Sequence, residues 1–185
     1  MNIIIKAAQL AKKLHEGQFR KYSGAPYISH TARVAGRMAT HPIATEELVA
    51  AAFLHDVIED CNVTDTELLE SLSSVTAEWE LDVRIRNTVY YVEWMTNKSL
   101  GSPLNRKKRK EMDAECLETA PKEVKVLKML DRIDNLRELP PDDGFTAKYA
   151  EESLYLINCI GDADDDLKNE AIELINDILG VDEPA

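Results

Sequence analysis

His55 and Asp56 stand side by side in the run Ala52-Phe53-Leu54-His55-Asp56-Val57-Ile58-Glu59-Asp60. An imidazole beside a carboxylate is the raw material of a metal site. Neighbouring helical residues point roughly 100° apart, so these two converge on one ion only where the helix faces a cleft. Glu59 follows His55 by four residues and Asp60 follows Asp56 by four, which gathers all four side chains on one polar edge. Such an edge beside an apolar run is costly unless an ion or a substrate satisfies it. The plainer alternative is a helix end breaking into solvent with ordinary charges. His30 is a candidate third ligand, and Asp131 a candidate fourth, next to the apolar face Val124, Leu127, Leu130 and Ile133. Each also has an everyday reading: His30 as a satisfied core histidine, Asp131 as a salt-bridge partner of Lys128 or Arg132. Two histidines and two aspartates make a mixed nitrogen and oxygen set, which suits Mn²⁺, Fe²⁺ or Zn²⁺ better than Ca²⁺ and leaves positions for water. His15 and His41 read instead as a helix-end cation and a loop residue ahead of Pro42.

The elements that must carry these groups are helical. Ile4, Ala7, Ala8, Ala11 and Leu14 recur at three and four, predicting a helix over 2–16 that Gly17 ends. A turn-rich loop covers 18–29, and Ser29 is placed to cap a second helix carrying His30, Val34 and Met38. A third helix is expected from about 44 or 45 through Asp60. Thr64-Asp65-Thr66-Glu67 is a capping box for a short fourth. Residues 75–96 read as a long helix, although Val89-Tyr90-Tyr91-Val92 would also suit a strand. Helices are expected over 106–119, from Pro121 to about 138, over 146–160 and over 164–179, with a break at 140–144 and a stop at Gly180. The fold class is all-α, a compact bundle of eight or nine helices.

A chain of 185 residues with 44% apolar composition has material for one domain with a real core. Its net charge of −12 argues against general nucleic-acid binding, yet leaves room for a locally positive pocket and a small phosphorylated ligand. Cys61, Cys116 and Cys159 are odd in number and widely spaced, which supports neither a zinc ribbon nor a disulfide framework and fits a reducing cytosol. No stretch approaches the roughly 20 apolar residues of a membrane span, and Ile3-Ile4-Ile5 is too short for a signal peptide. The expected location is the cytoplasm, away from membranes.

The order His30, His55-Asp56, Asp131 resembles the H…HD…D signature of the HD-domain metal-dependent phosphohydrolases. Within that superfamily, residues 15–21 (HEGQFRK), 24–30 (GAPYISH), 54–60 (LHDVIED) and 130–139 (LDRIDNLREL) resemble the hydrolase domain of RelA/SpoT-type enzymes and their small single-domain relatives, which degrade the alarmone (p)ppGpp. The resemblance implies a single HD phosphohydrolase domain over 1–185, with core motifs at 6–139 and C-terminal helices at 146–180. It implies Mn²⁺, or another divalent transition ion, held by His30, His55, Asp56 and Asp131. It assigns Glu59 and Asp60 to the catalytic pair, and Arg20, Lys21, Asn135 and, more loosely, Tyr149 to the substrate. The implied reaction removes the 3′-pyrophosphate of (p)ppGpp, giving GDP or GTP. The alternatives are an HD phosphohydrolase of another nucleotide, such as a nucleoside monophosphate or NADPH, and a non-catalytic nucleotide-binding regulatory module. Thr31 departs from the proline usual after the histidine, and residues 96–105 do not match cleanly. Nothing after Leu139 resembles a synthetase domain, so hydrolysis without synthesis is expected. The basic run 106–110 reads either as a rim attracting pyrophosphate or as a solvated helix face.

Overall fold

The stretch from Leu48 to Leu54 is apolar on every side, and a helix of that kind must be surrounded. The computed structural model, which describes residues 2–73, 79–141 and 143–181, surrounds it. The chain divides into two units, Met1–Thr96 and Asn97–Ala185. The first holds α1 (Ile3–Leu14), α2 (Ile28–Thr40), α3 (Glu46–Leu54), α4 (Val57–Asp60), α5 (Asp65–Ser73) and α6 (Trp79–Met95). Helix α3 is its centre, packed on α1, α2 and α6. Ala50, Ala51 and Ala52 have no exposed surface, so three neighbours approach α3 closely over methyl groups. Thr45 caps α3 by accepting the Leu48 N–H at 3.2 Å.

The second unit holds α7 (Arg106–Glu118), α8 (Lys122–Arg137), α9 (Thr146–Ile160), a 3-10 turn (Gly161–Ala163) and α10 (Asp165–Leu179). Helix α8 is buried along nearly its whole length and packs on α7, α9 and α10. Asn105 caps α7 and Asp164 caps α10, each through its side-chain oxygen. Gly180 ends α10 at φ 65°, a left-handed conformation glycine adopts without a Cβ penalty.

The all-α expectation holds: among the described residues there is no strand, only one isolated bridge between Phe19 and Pro26. The capping box closes in both directions, Thr64 N–H to Glu67 Oε2 at 2.9 Å and Glu67 N–H to Thr64 Oγ1 at 3.2 Å. Val89-Tyr90-Tyr91-Val92 is helical within α6, because Val89 and Val92, three apart, are both buried. The start of the long helix at 75–78 lies outside the described residues.

Two local expectations are corrected. Ser29 does not cap α2: the helix begins one residue earlier, Tyr27 stands at the cap position, and Ser29 Oγ is buried without a hydrogen-bond partner. The helix expected to run through Asp60 is broken at His55-Asp56, with α3 ending at Leu54 and α4 beginning at Val57. Asp56, at φ −100° and ψ −5°, sits where a helical turn tightens, so apolar continuity on both sides masked a change of axis. Among the described residues, no helix is long and apolar enough to cross a membrane.

Candidate metal centre

The break between α3 and α4 positions the site. It lets two consecutive side chains turn toward the same point, which an uninterrupted helix opposes. His30, in the first turns of α2 and fully buried, supplies the third group. The atoms His30 Nε2, His55 Nε2 and Asp56 Oδ2 form a triangle with sides of 3.2 Å between the imidazoles, 3.1 Å from His55 to Asp56 and 3.5 Å from His30 to Asp56. Ligands about 2.1 Å from one ion stand roughly 3.0 Å apart at right angles and roughly 3.4 Å apart at the tetrahedral angle. The triangle therefore has the dimensions of one face of a coordination sphere.

Its protonation supports the fit. His55 Nδ1 lies 2.8 Å from the Ala52 carbonyl oxygen, which can only accept, so Nδ1 carries the proton. The Nε2 atom of His55 then faces a carboxylate oxygen at 3.1 Å. Only a proton or a cation among these atoms makes that arrangement favourable.

Tyr27 closes one side. Its hydroxyl donates to Asp56 Oδ2 at 2.8 Å, one ring face stacks on His15 at 4.6 Å, and its ring meets His30 edge-on at 5.8 Å. Burial first, then the Asp56 and Asp60 charges, push the Tyr27 phenol well above its ordinary range, so it stays protonated and donates. Arg20 lies over the same ring, its guanidinium 5.4 Å from the centroid. Lys21 turns onto its neighbour Tyr22, donating to that hydroxyl at 2.9 Å. Glu59 is half-buried on α4, and Asp60 ends that helix at the rim. Partial burial and then the Asp56 charge raise the Asp60 carboxyl above the usual carboxylate range, against the pull of the Tyr27 hydroxyl, His15 and His55.

Thr31, the fourth residue of α2, donates its hydroxyl to the Ile28 carbonyl at 3.2 Å. The other residues singled out by sequence belong to the second unit. Asp131, on α8, meets Lys128 Nζ at 3.1 Å through Oδ2 and accepts from Asn135 Nδ2 at 2.7 Å through Oδ1. The ion pair with Lys128 matches one of the two everyday readings of Asp131, and the Arg132 guanidinium lies over the Tyr149 ring at 4.7 Å. In the basic run, Arg106 pairs with Glu152 through two bonds of 2.8 Å, which makes its guanidinium structural.

Sequence reasoning missed His15 and Tyr27. His15 ends α1 as expected, but it is only 3% exposed, held by Gln18 at 2.7 Å and by the Cys61 thiol at 3.4 Å. The available signal was Tyr27 three residues before His30, a spacing that puts both on one side of the first turn of α2. A cavity of about 420 Å³ beside this loop is lined by Lys12, Lys13, His15, Gln18, Phe19 and Pro26, and no member of the triangle lines it.

A family model described as HD domain matches residues 7–157, most of the chain. The chain belongs to the HD domain family. This HD domain protein is 33% identical over 139 residues to the human protein named guanosine-3′,5′-bis(diphosphate) 3′-pyrophosphohydrolase MESH1, covering 74% of this chain and 69% of that one. It is 46% identical over 69 residues to the Haemophilus influenzae guanosine-3′,5′-bis(diphosphate) 3′-pyrophosphohydrolase, 37% of this chain but only 10% of that protein. The HD domain chain thus spans about a tenth of the length of its Haemophilus influenzae and Vibrio cholerae relatives. A solved structure, titled as a metazoan ortholog of SpoT that hydrolyzes ppGpp and plays a role in starvation responses, superposes with a TM-score of 0.78 at 21% identity. It covers 98% of this chain and 97% of that one, a likeness of fold.

Proposed function

We propose that this HD domain protein is a divalent-metal-dependent hydrolase, present in the cytoplasm, that removes the 3′-pyrophosphate of (p)ppGpp. The observation that carries the reading is the triangle of His30, His55 and Asp56, with the tautomer of His55 fixed by Ala52. The names of the human and Haemophilus influenzae relatives supply the substrate class. His30, His55 and Asp56 hold the ion in this reading, and Asp131 is its fourth protein ligand by the order of the motif. Mn²⁺ is the proposed metal. When bound, it supplies Lewis acidity that makes water a better nucleophile and draws charge from a phosphoryl oxygen.

The rest of the chemistry belongs to the chain. Glu59 or Asp60 orients the attacking water and takes its proton. Asp60 suits that role because its raised pKa brings it nearer the working pH. Water attacks the phosphorus bonded to the ribose 3′ oxygen, the bond between that phosphorus and oxygen breaks, and pyrophosphate and GDP or GTP result. Arg20, over the Tyr27 ring, and Lys21, on the exposed loop, are the proposed cations for base and phosphates. By the family resemblance, Asn135 and Tyr149 are the proposed polar and aromatic contacts to the substrate.

The direct test is pyrophosphate release from ppGpp by purified protein with Mn²⁺ and with chelator. Rapid release of GDP and pyrophosphate that chelator stops is expected. No release by folded, manganese-loaded protein, with turnover of NADPH or a nucleoside monophosphate instead, would move the substrate to another nucleotide. Replacing Asp131 with asparagine keeps the side-chain shape and removes its charge. The expected result is a loss of Mn²⁺ affinity beyond about 100-fold, since even partners that only support a ligand are worth 10–100-fold. Calorimetric titration checks it, and wild-type affinity would remove Asp131 from the ligand set.

A further inference from the structure

Helix α4 has four residues, Val57–Asp60. A single helical turn does not hold itself, because nucleation fixes several residues for one hydrogen bond. Yet this turn begins beside a metal-ligand candidate, Asp56, and carries the candidate catalytic pair. Its orientation has to come from outside, and two ties reach it from the loop between α1 and α2. At the near end, the Tyr27 hydroxyl donates to Asp56 Oδ2 at 2.8 Å. At the far end, Gln18 Nε2 donates to the Asp60 carbonyl at 3.1 Å. The loop is itself braced: Tyr27 N–H donates to the Gln18 carbonyl at 3.0 Å, and Arg20 N–H to the Ala25 carbonyl at 2.8 Å.

We infer that Tyr27 is a positioning residue for the metal centre, its hydroxyl holding the Asp56 carboxylate so that Oδ2 meets the Nε2 atoms of His30 and His55. The inference rests on the metal reading proposed above. Asp56 needs the restraint because its carboxylate is 17% exposed and its backbone lies in the break between two helices. A hydrogen bond to one carboxylate oxygen selects among the rotamers the Asp56 backbone allows. Tyr27 can supply the restraint because it is fixed on three sides: stacked on His15 at 4.6 Å and 19°, edge-on to His30, and covered by Arg20. His15, held by Gln18 and Cys61, serves as the wall behind the phenol and needs no charge to do so. The same ring touches the Arg20 guanidinium, so the side chain that orients Asp56 also locates a candidate substrate cation.

Tyr27→Phe tests this, since the ring and its stacking remain and only the donor is lost. Mn²⁺ affinity by calorimetry is expected to fall about 10–100-fold, the usual cost of losing a partner that orients a ligand. The metal-free variant is expected to keep its cooperative thermal melt. Placing 4-aminophenylalanine at position 27 restores an N–H donor at the same reach, and affinity is expected to recover. That arm also covers a phenylalanine variant that folds poorly, because it keeps both ring and donor. A Tyr27→Phe affinity within twofold of wild type, in a protein whose His55→Ala variant has lost the ion, overturns the positioning role alone. Wild-type protein that binds Mn²⁺ no better than His55→Ala overturns the metal reading and this inference together.

Discussion

Replacing His55 with alanine is expected to leave a folded protein that neither holds Mn²⁺ nor turns over ppGpp. His55 is 1% exposed, its Nδ1 proton is committed to Ala52, and its Nε2 forms two sides of the triangle. Removing it takes away one apex and leaves His30 and Asp56 3.5 Å apart with nothing between them. The affinity loss should exceed about 100-fold, more than the cost of losing a supporting partner alone. Alanine in place of a buried imidazole also opens a cavity at the end of α3, so the melt must be recorded beside the titration. Retained affinity in a folded variant would mean that the three side chains serve packing and not an ion.

Glu59→Gln and Asp60→Asn are expected to separate binding from turnover. Neither residue belongs to the triangle, so Mn²⁺ affinity should stay near wild type while kcat falls by about 10²–10⁴, the usual range for a lost general acid or base. One of the two should account for most of that loss, because one water needs one proton acceptor. Asp60 is the stronger candidate for the pH-dependent part. Its carboxyl lies above the usual carboxylate range, so as a base it becomes available only as pH rises through that higher value. The acidic limb of the pH-rate profile should therefore change in Asp60→Asn and persist in Glu59→Gln. Undiminished turnover in both variants would exclude the pair from the chemistry.

The motif spacing pointed to this candidate site because metal ligation demands particular atoms, and few residue types supply them. His30, His55 and Asp56 could be named from side-chain chemistry, and the capping box at Thr64–Glu67 from hydrogen-bond reciprocity. The break after Leu54 was hidden for a physical reason. Val57 is as buried as Leu54, so the apolar pattern runs through the turn without interruption. Ser29 misled in the opposite way, since a favourable cap residue lay two positions past the cap, and its hydroxyl ended buried without a hydrogen-bond partner. The spacing of Tyr27 to His30 was there to read, but the stacking of His15 on Tyr27 was not, because a loop brings them together and loop closure has no periodicity.

The three alanines at the centre of α3 have a consequence for how this protein can change over time. Because Ala50, Ala51 and Ala52 are wholly enclosed, added methyl groups cost about 1–3 kcal/mol each through displaced neighbours. His55 is the next residue after the end of that same helix. A sideways shift of α3 too small to unfold the domain is still large against a triangle whose sides are 3.1 to 3.5 Å. Core substitutions here should extinguish chemistry before they extinguish folding. A lineage that no longer needs the proposed activity would then be expected to show larger residues at these positions while His55 and Asp56 are still in place.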